Sequence, residues 1–465
     1  MRFLFCALAF SIFTATAAEM VPALVTVHPE KVGSEIPDDF LGLSYEKSAL
    51  AAKHFRPDNL ELLNLHRNLS GSVIRVGGNK VELCSWQREE IAAEPGNGAN
   101  VITPSCLDSF YAFAKAAGWK VIHGVNLANR NPEMSADEIA YALEVGGDSI
   151  LAFEVGNEPD HYDKPTKNLR AKGYDFALYQ PELAEAQRVI ISRNPNAPLA
   201  GPATTGGDAD WFGPCVADFK NRLALATSHF YPLSAKSLPP PTAEQLLSEA
   251  SKAKAINLVM NHVALCRSAG IPYRLGECNS ASMGGTDGVS DTFVATIWAA
   301  DFLFDVAEHG AAGVNLHTIF GTHGYTAISY DKKNYSPRPL YYALLLFKDA
   351  GRGKILATET AAKSNVTSHA TLTADGKLRV VIINKSLTEG AEATVLAGSQ
   401  RSRGTVARLS AATPMEQTGI TYSGATVNPD GRWTAAKPDA IQGTAGKFQV
   451  TLSPCSAAVL TLEAD

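Results

Sequence analysis

Two glutamates have the type and placement from which chemistry can be read. Glu158 lies in the stretch 151–160, LAFEVGNEPD, an apolar run that follows the Gly146-Gly147-Asp148 turn and ends in the polar cluster Asn157-Glu158-Pro159. This is the pattern of a buried parallel strand whose C-terminal end emerges at a working face, and the proline, lacking a backbone N–H, stops the strand. Glu277 closes a second such run, 272–278, PYRLGEC, ahead of the Gly-rich turn Met283-Gly284-Gly285. One carboxylate at a strand end is commonplace. Two of them, in a chain that alternates strands with helices, are what two-carboxylate glycoside hydrolysis requires: one group protonates the leaving oxygen and the other acts as nucleophile or base. Apolar walls behind Glu158 predict a raised pKa and a carboxyl that is protonated at rest, while the second carboxylate stays ionised.

The repeating elements must bring that pair together. Strands are expected at 41–45, 72–78, 120–126, within 151–160, 198–202, 225–231, 272–277 and 312–318. Helices are expected at 57–69, 104–117, 136–145, 175–193, 209–222, 242–269, 291–309 and 337–348. Such an alternation predicts an α/β fold, a (β/α)8 TIM barrel over 36–350, in which catalytic groups sit at the C-terminal ends of strands. Glu158 would then end the fourth strand and Glu277 the seventh. Past Gly351 the periodicity shortens: 371–383 reads as a hairpin about Asp375-Gly376, and 447–463 is strand-like again. We therefore expect a C-terminal β-sandwich over 351–465, joined by a lone N-terminal strand within 19–35.

Composition narrows the class. A hydrophobic content of 45% supports sizeable cores, and a formal charge of −6 argues against nucleic acid and long polyanions as partners. Residues 1–18 read as a signal peptide, with Arg2 ahead of an apolar run and Ala15-Thr16-Ala17 as the cleavage site, so a secreted, periplasmic or extracellular protein with no membrane association after signal removal is expected. Six cysteines remain after Cys6 is removed, and Cys84 and Cys106, flanking one polar loop, are the expected disulfide. Neither CxxC nor HExxH occurs, so no metal or cofactor is expected, and His317 and His323 read as polar strand-end or loop residues. Arg75 and Glu154 fall inside expected barrel strands, where an unpaired charge is too costly; they read as a buried pair or network bearing on Glu277.

GNEPD after a strand, HFY on a later one, and LGECNSA with GGTDGVSDTF together resemble glycoside hydrolase family 79, a retaining 4/7-clan family of β-glucuronidases and heparanases. The likeness runs over about 41–355, and LSYEKSALA and RVGGNKVE fit the family's secreted microbial β-glucuronidase-like members. The resemblance implies that Glu158 is the acid/base and Glu277 the nucleophile of a double displacement. It places Asn157 on the sugar 2-hydroxyl and Tyr231, of His229-Phe230-Tyr231, on the nucleophile. Met283, Gly284, Gly285 and Tyr325 correspond to positions that hold a glucuronate carboxylate, although Ser282-Met283 stands where heparanases carry an aromatic residue. Glu46 and Asn79 correspond to positions touching the same sugar, and the adjacent Lys80 would add a positive charge.

The expected partner is a glucuronic-acid-containing oligosaccharide or polysaccharide. The connection from Cys84 to Pro104 is too short for the excised segment of animal heparanases, and basic clusters are absent. Both features favour an exo-acting β-glucuronidase over the alternative, a heparanase-like endo-β-glucuronidase acting on heparan sulfate. A further alternative is a non-catalytic carbohydrate-binding protein on a degenerate barrel. Against it stand Glu158, Glu277, Asn157 and Tyr231, all present.

Overall fold

The structure is a computed structural model that describes residues 18–89, 100–206 and 208–465. The expected signal peptide lies outside the described residues apart from Ala18. The chain opens with β1 (Met20–Ile36) and then builds a closed barrel of parallel strands. These are β2 (Leu41–Glu46), β3 (Val73–Gly77), β4 (Lys120–Val125), β5 (Ile150–Val155), β6 (Leu199–Thr204), β7 (Leu223–Phe230), β8 (Tyr273–Cys278) and β9 (Gly313–His317), the last pairing back onto β2. The principal helices outside them are α1 (Leu60–Arg67), α2 (Pro104–Ala117), α3 (Pro132–Gly146), α4 (Phe176–Arg193), α5 (Gly213–Phe219), α6 (Glu249–Ala269), α7 (Phe293–Glu308) and α8 (Pro339–Ala350).

The barrel strands are apolar on both faces, and residue alternation sorts the two. Ile74, Val76, Val121, Phe153 and Val155 belong to the core shared with the helices, whereas Val73, Ile122, Ala152, Ala200 and Leu225 form a separate small core inside the barrel. Two residues further along, three of those strands turn polar on the inside: Arg75 follows Val73, Glu154 follows Ala152, and Thr227 follows Leu225. A charged layer thus lies above an apolar floor, toward the strands' C-terminal ends.

The other end of the barrel is closed differently. Buried Arg274 donates to Asn315 Oδ1 at 2.6 Å and to the backbone oxygens of Asp39 and Phe40 at 2.9 and 3.0 Å.

Beyond Gly351 come β10 (Gly353–Ala362), β11 (Val366–Leu372), β12 (Leu378–Asn384), β13 (Gly390–Leu396), β14 (Arg403–Ser410), β15 (Lys447–Leu452) and β16 (Ser456–Leu462). They follow the order β14-β16-β12-β11-β10-β1-β13-β15 in one mixed sheet. The N-terminal strand is therefore part of the C-terminal domain, antiparallel to β10 and parallel to β13. Alternation divides this sheet as well: Val380 and Ile382 enter its own core, and Val381 and Ile383 pack into the core shared with the barrel. The architecture is the expected (β/α)8 barrel with a C-terminal β-sandwich that takes the N-terminal strand.

Two local expectations fail. The helix expected over 242–269 is broken into a short turn, Ala243–Leu246, and α6, because Ser248 Oγ accepts the Ser251 N–H at 3.2 Å and starts a new helix inside the run. The expected disulfide is absent: Cys84 and Cys106 are buried free thiols, and Cys106 Sγ lies 3.5 Å from Thr103 Oγ1. Cys84 ends the turn after β3 and Cys106 lies in the first turn of α2, and flanking one loop in sequence did not join their thiols. Among the described residues no helix is long and apolar enough to cross a membrane.

Candidate active site

Arg75 organises the charged layer. Its Nε donates to Glu154 Oε2 at 2.7 Å, and its Nη1 to Glu277 Oε2 at 2.9 Å and Ser44 Oγ at 3.0 Å. Its Nη2 donates to Asn157 Oδ1 at 2.8 Å and faces His229 Nε2 at 3.2 Å. The second oxygen of Glu154 accepts from Thr227 Oγ1 at 2.7 Å. An isolated guanidinium could not be held at this depth; the Glu154 and Glu277 carboxylates raise its pKa against the penalty of burial.

Glu277 reaches the mouth through an irregularity in β8. Its neighbour Gly276 faces the barrel interior, where a Cβ would stand 3.2 Å from that of Thr227. One regular step on, Glu277 would face the helices. The β8–β7 register shifts between Leu275 and Glu277, and this turns the carboxylate inward. There Oε1 accepts from the Tyr231 hydroxyl at 2.8 Å, and His317 Nδ1 lies 3.6 Å from Oε2. Burial alone would raise the Glu277 pKa, but His317, His229 and Arg75 outweigh it and bring it down to about 2.

Glu158 sits in a left-handed conformation (φ +50°), two residues after Gly156 (φ +85°) and directly before Pro159. Its N–H donates to Ala203 O at 2.9 Å, and the Asn157 N–H donates to Glu82 Oε1 at 2.7 Å. The Glu158 side chain meets His229 Nδ1 at 3.0 Å through Oε1, and Lys167 Nζ at 2.9 Å through Oε2. Arginine can only donate, so Nε2 of His229 accepts from Arg75 and the imidazole proton rests on Nδ1, directed at Glu158. One carboxylate oxygen each of Glu158 and Glu277 and a ring nitrogen of His229 all lie within 4.8 Å of one another.

The expectation of a raised Glu158 pKa is overturned. Burial does push it up, but the bonds from His161 and His229 and the charge of Lys167 bring it well below the usual carboxylate range. Apolar walls were legible in the sequence, and the partners His161 and Lys167 were not.

Glu158, His229 and Glu277 are ligand-type groups close enough to suggest a metal, as are Asp301, Asp305 and His369 elsewhere. Arg75 and Lys167 already lie on the first set, and Lys252 and Lys385 on the second. Neither donor set fits a divalent cation.

No family model matches the chain. It is 25% identical to the β-glucuronidase of Aspergillus niger over 367 residues, 65% of each chain, and 27% identical to the heparanase of Bos taurus over 277 residues, 54% of this chain and 46% of that one. The chain is related to the β-glucuronidase- and heparanase-like glycoside hydrolases. The match spans just under two-thirds of the Aspergillus enzyme and about half of the heparanase. In fold it is similar to a 4-O-α-L-rhamnosyl-β-D-glucuronidase from Fusarium oxysporum 12S, with a TM-score of 0.79 at 20% identity over 95% of this chain and 99% of that one.

Seen beside these relatives, most expected site residues converge on the mouth. Asn157 uses Oδ1 on Arg75, and its buried Nδ2 has no hydrogen-bond partner among the described residues. Met283, Gly284 and Gly285 adopt successive positive φ values of 66°, 93° and 90°, and Gly284 O accepts the Tyr325 N–H at 3.2 Å. A Cβ on Gly324 would stand 1.9 Å from Gly284 O, so the two turns pack without side chains between them. Tyr325 is buried with its ring 6.0 Å from that of Tyr231, while the Met283 side chain is exposed. Glu46 accepts the Lys80 N–H at 2.7 Å, and burial raises its pKa. Asn79 is exposed beside it, and Lys80 contributes this N–H while its side chain is also exposed.

Several site residues escaped the sequence reading. His229 had a signal, since it lies two residues after inward-facing Thr227 on the same strand. His317 was taken for a strand-end residue and bridges Glu277 and Glu46, 3.9 Å from the latter. Glu82 is buried and accepts from the N–H groups of Asn157, Leu127 and Ala128, at 2.7 to 3.1 Å, and from the Tyr162 hydroxyl. Neither Glu82 nor Lys167 lies on a barrel strand, so no periodicity announces them.

Proposed function

We propose that the protein is an exported, retaining β-glucuronidase that removes terminal β-D-glucuronosyl residues from oligosaccharides, polysaccharides or other conjugates. The observation that carries this reading is the closeness of the two strand-end carboxylates, whose nearest oxygens lie within 4.8 Å. Retaining enzymes hold their carboxyl groups about 5–5.5 Å apart, and inverting ones about 6.5–9.5 Å to admit a water.

In this reading Glu277, kept ionised by Arg75 and Tyr231, attacks C1 of the sugar. The bond from C1 to the leaving oxygen breaks as that oxygen takes a proton from Glu158. Water then attacks C1 of the glycosyl ester, gives its proton to Glu158, and releases Glu277 as a carboxylate. The unpaired Asn157 Nδ2 supplies a donor for the 2-hydroxyl. The left-handed turn at Met283, Gly284 and Gly285 offers backbone N–H groups to the glucuronate carboxylate, beside Tyr325. The relatives support this choice of sugar, and the short 84–104 connection and the net charge of −6 support exo action.

The test is product analysis on an aryl β-D-glucuronide and a defined heparan sulfate oligosaccharide, with Glu277→Gln as the blank. Monomeric glucuronic acid released from chain ends is expected. Internal cuts would make the protein an endo-enzyme, and binding without turnover would make it a carbohydrate-binding protein.

A further inference from the structure

Acid catalysis needs a protonated Glu158, yet the free protein places an ammonium on it. Lys167 Nζ lies 2.9 Å from Glu158 Oε2 and 3.2 Å from Asn157 O, on a side chain only 11% exposed. It belongs to the connection between β5 and α4, which is turned back over the mouth by the Lys167 N–H bond to Lys164 O and by left-handed Asn168 (φ +50°). The two oxygens of Glu158 face different surroundings. Oε1 meets His229, itself 3.9 Å from Glu277, whereas Oε2 meets Lys167 and, at 3.7 Å, His161.

The sugar ring must lie between the two carboxylates, on the Oε1 side. Lys167 therefore stands on the side toward which the leaving group departs. Of the other charged groups nearby, Asp160 accepts from the N–H and hydroxyl of Thr205 through Oδ2, while its buried Oδ1 has no partner among the described residues, and Arg75 reaches Glu158 through His229.

We propose that Lys167 is a leaving-side specificity residue that recognises an anionic group, a carboxylate or a sulfate, on the aglycone. The inference rests on the β-glucuronidase reading. The aglycone's anion replaces Glu158 as partner of the ammonium. Glu158, still buried and still bonded by His161 and His229 but relieved of that charge, then binds more readily the proton it later gives to the leaving oxygen. A neutral aglycone leaves Lys167 on Glu158 and the acid harder to protonate. Lysine suits the exchange because its charge is compact and rides on a flexible stem. His161 and His229 remain on Glu158 in both states and hold its orientation. Lys167 touches the aglycone but no reacting atom, and its effect on proton transfer passes through Glu158.

The experiment compares 4-(carboxymethyl)phenyl and 4-(carbamoylmethyl)phenyl β-D-glucuronides, whose phenols are closely matched in acidity, on wild type, Lys167→Met and Lys167→Arg. Wild type is expected to favour the anionic aglycone about tenfold in kcat/KM. Its kcat should hold to about one pH unit higher with that substrate than with the neutral one. Lys167→Met should abolish the preference and move the basic limb upward for the neutral substrate, because Glu158 has lost its cation. Lys167→Arg, which keeps a cation, should retain the preference. Equal preference in wild type and Lys167→Met, or a basic limb that does not move, would overturn the proposal. Turnover by wild type without any anion preference sinks this inference alone, whereas no turnover of either substrate sinks the β-glucuronidase reading with it.

Discussion

Two clusters in this molecule are built from nearly the same side chains. At the barrel mouth Glu158, Glu277 and His229 meet Arg75 and Lys167; between barrel and sandwich Asp301, Asp305 and His369 meet Lys252 and Lys385. In the second cluster Asp301 accepts from Lys385 and His369 at 2.9 Å and from Thr367 at 2.6 Å, and Lys252 lies 2.8 Å from Asp305. The aspartates belong to α7, whereas Thr367 and His369 lie on β11 and Lys385 directly follows β12. Docking one domain on the other shuts that cluster on itself. The mouth cluster does not close: Asn157 keeps an unpaired donor, and the cation on Glu158 rides on a long side chain. Residue type does not separate a tie from an active site. What separates them is whether every polar group has already been satisfied by the protein.

This contrast can be broken by experiment. The largest effect is expected from Glu277→Gln, which should lower kcat per folded molecule on an aryl β-D-glucuronide by at least about 10⁴-fold. Removing a charged partner of buried Arg75 should also cost stability, so it is an unchanged kcat per folded molecule that would mean the mouth, too, is a structural tie. Azide rescue sharpens the assignment within the mouth. With an activated aryl glucuronide, Glu158→Ala should give the β-glycosyl azide, since its covalent intermediate still forms, and Glu277→Ala the α-azide; the reverse pattern would exchange the two roles. In the closed cluster Lys385→Met leaves Asp301 buried without one of its cations and should cost about 3–5 kcal/mol in denaturant unfolding. Its kcat per folded molecule should stay at the wild-type value.

The same cluster also predicts a pH slope. Burial would lower the pKa of His369, but Glu308 and Asp301 raise it to about 10. A histidine whose folded pKa is raised adds stability that is complete below its unfolded value near 6.5 and is lost as pH rises through about 10. The thermal midpoint should therefore fall across that window, and His369→Gln should flatten the slope. The mouth predicts the opposite kind of sensitivity. Glu277, held at about 2, stays ionised through the same range, so the loss of the tie should not be mirrored by loss of charge on Glu277.

Much of the fold was legible because it is periodic. Alternating strand and helix signals place eight units in order, and the Asp375-Gly376 turn sits between β11 and β12, where the Thr373 N–H meets Lys377 O at 2.9 Å. The same periodicity puts Glu158 and Glu277 at strand ends. Inward alternation along β7 extends from Thr227 to His229 and would have found the histidine had it been followed one step further. The break at Ser248 was legible only as a single capping residue inside an otherwise continuous helical run.

What the sequence determined by itself is therefore the set of elements and the ends at which its carboxylates emerge, since local periodicity and burial are properties of short stretches. Tertiary structure alone decided how those carboxylates are charged. The low pKa of Glu158 depends on His229 from one strand and on His161 and Lys167 from a connecting segment, and that of Glu277 on Arg75 from another strand and His317 from a third. Tertiary structure also decided that Cys84 and Cys106 are free thiols, and that Glu82 holds the loop bearing Glu158. Apart from His161 and Lys167, which follow Glu158 closely in the chain, each of these turns on distances of a few ångströms between residues far apart in the chain. Electrostatic interactions act at that range, and no pattern within a short stretch encodes it.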